Sequence, residues 1–298
     1  MVNSRLVKFG CPAAAVVAVA AVAFALAGPL GNQGPDEGVE GVGAAPVAVP
    51  QAFVGDQGNP ATWRLPVEAY MPARTDARMV GSVRDRLIDE CMKQAGYEKW
   101  QPAPDLPDLS GVSLTDRRYG IHDDQLTEER GYHPDAALQK DYEAAVAIGA
   151  VDKSGADPEA VRTCVQSADG KAPGVEVDAL VQRIGNDSYR ESLKDPAVVG
   201  VFAQWSVCMK GKGYTYKAPM EAVDNPRFGH STNVTQEEIA TARADLDCRK
   251  QYNLTRVWFD AEARIQQSKI KGNLTALNAV KESDRALIEK SAALSAPR

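Results

Sequence analysis

The chain has 298 residues, enough to bury one large core or two modest ones, and its 44% hydrophobic and 25% charged residues are ordinary for a globular protein. Lys and Arg number 34 against 40 Asp and Glu, a net charge of −6 with no cationic cluster, which argues against nucleic acid or an anionic membrane surface as partner.

At the N-terminus Arg5 and Lys8 precede an apolar run from Cys11 to Leu30, and Ala25-Leu26-Ala27 offers the small, any, small pattern that signal peptidase accepts. Residues 1–27 are therefore expected to be a signal peptide cleaved before Gly28. An uncleaved anchor is the rival, because the 20 mostly alanine residues of that run are long enough to span a bilayer. Cys11 stands ahead of the apolar stretch rather than after it, so it is not placed for lipidation. Both outcomes put the remainder outside the cytoplasm, and removing the segment takes the net charge to −8. Residues 28–62, rich in Gly, Pro and Ala, read as a flexible linker, and 63–298 as a helical extracytoplasmic domain.

The stretch LPVEAYMP at 65–72, bracketed by prolines, reads as an extended strap. Thr75 is placed to cap a helix with Met79, Val83, Leu87 and Cys91 along one face. That helix ends in CMKQAGY, Cys91 to Tyr97, and the phrase returns as CMKGKGY at Cys208 to Tyr214. Gly96 and Gly213 supply the left-handed residue that ends a helix, Tyr97 and Tyr214 pack back on Met92 and Met209, and Lys93 and Lys210 complement the dipole of the last turn. The phrase is a helix stop with a cysteine in its last turn.

Between the copies, residues 122–149 read as two short helices ended by Gly131 and Gly149. Asp157-Pro158 opens a helix carrying Cys164 and closed by Gly170. Val177, Leu180, Val181 and Ile184 mark a further helix, and Asp195-Pro196 opens the one that ends in the second phrase. Thr235 and Glu238 form a capping box for a helix with Cys248, whose spacing continues through Val257, Ala261 and Ile265 to Lys271 as one long rod. Gly272-Asn273 interrupts it before a C-terminal helix at about 274–294, which is expected to pack on its own body, with a partner chain as the alternative. The fold expected is mainly α: a disulfide-stapled helical domain with an internally duplicated helix pair (about 75–170 and 195–271) and a long C-terminal helix.

Four cysteines outside the cytoplasm read as two disulfides, for which three connectivities exist. The duplication selects Cys91 with Cys164 and Cys208 with Cys248. A metal site or redox pair is the alternative, disfavoured because no two cysteines are two apart and none has a histidine nearby in sequence.

Chemistry-bearing residues are few. His122-Asp123-Asp124 and His133 are where nitrogen and carboxylate ligands cluster, and the plain reading makes them caps and turns. Glu128-Glu129 and Glu237-Glu238 read as solvated helix surface. Trp205, Trp258, Tyr97 and Tyr214 read as core more readily than as a ligand groove. No phosphate loop, GxSxG elbow or HExxH motif is present.

The ordered set LPVEAY, CMxxxGY, RRYGI followed by GYH, Trp205 three residues ahead of the second CMxxxGY, ADLDC and VWFDAEARIQ resembles a family of uncharacterised secreted or membrane-anchored four-cysteine proteins of actinomycetes, over about Leu65 to Ile270. The resemblance implies an extracytoplasmic location and the four-cysteine pattern, and carries no catalytic residue or ligand. The function expected is non-enzymatic binding or scaffolding in the cell envelope, toward an envelope protein or cell-wall component through the C-terminal helix, with no cofactor. The alternative is a secreted metal-dependent hydrolase using His122, Asp123, Asp124 and His133.

Overall fold

The computed structural model describes residues 48–149, 154–229 and 233–295. The expected signal peptide, its cleavage site and the first part of the linker lie outside them. Ten α-helices make up most of the described chain, and the only β pairing among the described residues is an isolated bridge between Phe53 and Arg64.

Folded structure begins before Trp63, because the end of the expected linker has apolar side chains to bury. Val49, Ala52 and Val54 pack on the main core, and the Trp63 indole donates to the Asp56 carbonyl at 2.7 Å. The proline-bracketed stretch is a 3-10 helix, Pro66–Tyr70, rather than an extended strap. Pro66 starts its first turn with φ already fixed, and Glu68 Oε1 accepts from the Leu65 N–H at 2.7 Å.

Helix α1 spans Arg74–Gln94. Its cap is Ala73, with no side-chain bond, so Thr75 lies inside the first turn: the residue after Pro72 is already extended and the helix starts at once. Helices α2 (Asp124–Arg130) and α3 (Ala136–Gly149) follow, and then α4 (Pro158–Lys171), which runs past Gly170 to end at buried Ala172. Helix α5 is Ala179–Ser192, α6 Pro196–Gly211 and α7 Pro219–Val223. The expected long rod is two helices, α8 (Gln236–Gln251) and α9 (Leu254–Gly272). Asn253 breaks it with φ of 51° and ψ of 36°, the left-handed conformation that Asn tolerates better than most residues. Helix α10 is Leu274–Ser295.

The disulfides join Cys91 to Cys164 and Cys208 to Cys248, so each staples one helix pair, α1 to α4 and α6 to α8. The two repeated phrases have the same geometry. Gly96 and Gly213 take φ of 93° and 94°, and the N–H groups of Tyr97 and Tyr214 bond back to the carbonyls of Met92 and Met209, both at 2.9 Å. Both methionines are fully buried.

The pairs differ in what they bury. Around α1 and α4 lies a satellite core of Ile88, Met92, Trp100, Cys164 and Ala168. The main core gathers Trp63, Tyr119, Trp205, Leu246, Leu254, Trp258 and Phe259 from α6, α8, α9 and the segments laid over them. Helix α2 packs on α8, so the segment inserted in the first half is anchored on the second, and α10 lies along α1 with Leu277 and Ser291 buried.

Candidate functional site

Buried charge frames the centre of the molecule. Glu262 of α9 is fully buried and receives Arg118 in a fork, Nε at 2.9 Å to Oε2 and Nη2 at 2.6 Å to Oε1, while the Tyr119 hydroxyl donates to Oε2 at 2.8 Å and Gln266 to Oε1 at 2.9 Å. Gln266 accepts in turn from the Val67 N–H at 3.0 Å, tying the 3-10 helix to α9. A second frame lies in α8. Asp245 accepts from Arg249 Nε at 2.6 Å and from the Trp205 indole at 2.8 Å, and Arg249 also donates to the Tyr119 carbonyl. Burial pushes the Asp245 carboxyl up despite Arg249 and Trp205, and pushes the Tyr132 phenol above its usual range.

Beside these frames lies the cluster nearest to a catalytic pattern. His122 Nε2 and Asp116 Oδ1 are 2.7 Å apart, and Asp116 Oδ2 accepts from the Val112 N–H at 2.7 Å. Burial works to raise the Asp116 carboxyl, but the bonds from His122 and Val112 and the charge of Arg117 hold it below its ordinary value. His122 and Ile121 are shared by the walls of two cavities of about 220 and 230 Å3, one reaching Arg117 and Thr127, the other Arg249 and Asn253. The pair can hold a proton at a fixed place; both cavities are smaller than the few hundred Å3 usual for a small-molecule site.

The other residues singled out in the sequence do not join His122. Asp123 caps α2 by accepting from the Leu126 N–H at 2.7 Å, and Asp124 pairs with Lys250. His133 Nε2 lies 3.4 Å from Glu238 Oε1. Among the described residues no group of three or more His, Cys, Asp or Glu is placed to hold a metal ion.

Glu238 corrects the sequence reading twice. It is fully buried rather than solvated, accepting from the Tyr132 N–H at 3.0 Å. The capping box is therefore half made: Thr235 Oγ1 accepts from the Glu238 N–H at 3.1 Å, while the carboxylate turns inward. Glu128 is on the surface and pairs with Arg243. Trp205 and Trp258 are fully buried, as core residues.

Asp116, Arg117, Arg118 and Glu262 were missed from sequence, since 144 residues separate the fork partners. The available signal was RRYGI itself, two arginines beside an aromatic and a glycine.

The exterior shows one further feature. From Pro196 to Met209 helix α6 carries no charged residue, and its outer side exposes Val199 at 52% and Val207 at 69%, with Gly200, Ala203 and Gln204 alongside. By contrast the outer side of α10 carries Lys281, Glu282, Arg285, Glu289 and Lys290. No family model, curated protein or solved structure matches the chain.

Proposed function

We propose that this chain is a non-enzymatic extracytoplasmic binding or scaffolding protein of the cell envelope. The observation that carries the reading is the uncharged outer face of α6, where Val199, Ala203 and Val207 line up at four-residue spacing. A helix apolar on all sides is ordinarily buried, so a solvent-facing one has a use for its outer side. The Cys208–Cys248 disulfide ties α6 to α8 and so fixes the helix that carries that face, which lowers the entropy lost on docking. Two disulfides are compatible with an oxidising, extracytoplasmic compartment. No helix among the described residues is long and apolar enough to cross a membrane, so release or anchorage turns on residues 1–27. The charged outer side of α10 moves the expected partner surface from the C-terminal helix to α6.

A photo-cross-linker placed at Val207, and separately at Arg285 on α10, tests this in the native host. A discrete adduct from Val207 that is lost on adding Val199→Lys supports the reading. An adduct from Arg285 alone returns the partner to α10, and no adduct from either position removes the scaffolding function.

The second reading is hydrolysis, favoured by the His122–Asp116 pair at two cavity walls. Loss of a hydrolytic activity in His122→Ala would establish it.

A further inference from the structure

Arg117 and Arg118 are adjacent in sequence and opposite in how their charge is met. Arg118 has the Glu262 fork, and its guanidinium also lies 4.9 Å over the ring of Tyr189. Arg117 is half-buried, donates through Nη2 to the Tyr132 carbonyl, and makes no salt bridge among the described residues. The acid whose charge acts on it, Asp116, already uses both oxygens, one on His122 and one on the Val112 N–H. A guanidinium has five N–H donors, and charge taken out of water is ordinarily paired. Consistent with this, burial lowers the Arg117 pKa, offset only by the charge of Asp116.

Arg117 also lines a groove of about 450 Å3 between the 110–118 segment and α5, together with Arg118, Arg190, Ser110, Asn186 and Tyr189. None of the lining residues is acidic, in a chain whose net charge is −6. Three of the acids behind the wall are committed elsewhere, and Asp224 is felt at Tyr189. Glu262 is committed to Arg118, Asp108 to Arg74 and to Ser110, and Asp187 to Arg190. The Asp187–Arg190 pair is three residues apart on an exposed helix side, with Arg190 71% accessible, and such pairs hold their members weakly. Arg190 is thus free to turn into the groove, while Arg118 presents a fixed edge.

We propose that this groove binds an oxyanion, a phosphate or carboxylate group borne by a larger polar molecule, with Arg117 and Arg190 supplying the charge and Ser110, Asn186 and Tyr189 the neutral hydrogen-bonding rim. Guanidinium suits either anion, because its planar fork donates two parallel hydrogen bonds to both.

The test is calorimetric or NMR titration of the folded, disulfide-intact protein at low ionic strength with inorganic phosphate and, separately, with acetate, against chloride. Saturable binding is expected, weakened about tenfold in Arg117→Gln and less in Arg190→Gln, and unchanged in Arg227→Gln, whose arginine pairs with Glu237 away from the groove. Saturation by phosphate alone assigns a phosphate-bearing ligand, and by acetate alone a carboxylate-bearing one. If Arg117→Gln does not fold, exposed Arg190 still decides. Unsaturable titrations, or equal affinity in wild type and Arg190→Gln, overturn the proposal.

Discussion

Glu262 and Arg118 meet across 144 residues of sequence in a forked ion pair whose carboxylate is fully buried. That carboxylate organises three segments at once: the 117–121 stretch through Arg118 and Tyr119, α5 through the Arg118 bond to the Gly185 carbonyl at 3.0 Å, and the 3-10 helix through Gln266 and Val67. Removing one partner of a buried pair strands the other charge, at a cost of about 3–5 kcal/mol. Glu262→Gln is therefore expected to lower the unfolding free energy by that amount, read as a lower urea midpoint with little change in slope. A loss under about 1 kcal/mol would mean that Arg118 finds water once Glu262 is gone.

The two disulfides close 73 and 40 residues, and chain entropy gives each a stabilisation of about 4 kcal/mol. Equal energies do not imply equal consequences, because the cores they staple differ. Cys91→Ala/Cys164→Ala should raise amide exchange in α4 and the end of α1 while Trp258 and its neighbours on α9 stay protected. Cys208→Ala/Cys248→Ala should lower protection throughout α6, α8 and α9, because Trp205, Leu254 and Trp258 share one core. Identical exchange maps for the two variants would refute the division into satellite and main cores.

What the sequence made legible followed short-range rules. The helix stops could be read because Gly96 with Tyr97, and Gly213 with Tyr214, act within six residues. The helix at 179–192 could be read from the apolar spacing of Val177, Leu180, Val181 and Ile184. Three things could not. The split between α8 and α9 hangs on one left-handed Asn253 in a run whose helical spacing never falters. Glu238 has the sequence context of a surface cap, and only the arrival of Tyr132 from 106 residues away turns it inward. Arg117 looks like Arg118 in sequence, and the difference between a paired and an unpaired guanidinium exists only in three dimensions.

Asp116 supplies a pH dependence with a definite sign. Its folded pKa lies below the ordinary Asp value of about 3.9, so between the two values the unfolded chain binds more protons than the folded one. The bonds to His122 and Val112 therefore stabilise the fold in full above about pH 4, and that contribution is lost as pH falls through the folded pKa. Denaturant midpoints measured from pH 6 down to pH 2 should show wild type above Asp116→Asn at the upper end, with the two converging below about pH 4. A gap that stays constant across that range would show the carboxylate is not what the His122 contact depends on.

Gly120 gives the sharpest test of the core frame, because two penalties can be separated there. Its φ of 102° favours glycine, and a Cβ would also fall 2.7 Å from both terminal nitrogens of Arg249, a guanidinium held in place by Asp245. Gly96 has nearly the same φ, 93°, with nothing within 4 Å of its Cβ position. Gly96→Ala thus reports the backbone cost alone, about 1 kcal/mol. Gly120→Ala carries that cost plus displacement of a buried, hydrogen-bonded Arg249, and is expected to lose about 2 kcal/mol more. Adding Arg249→Met to both glycine variants should abolish the difference between them, since the shorter side chain no longer meets the new methyl group. If Gly120→Ala and Gly96→Ala cost the same with Arg249 intact, the guanidinium yields freely, and Gly120 is there only for its backbone.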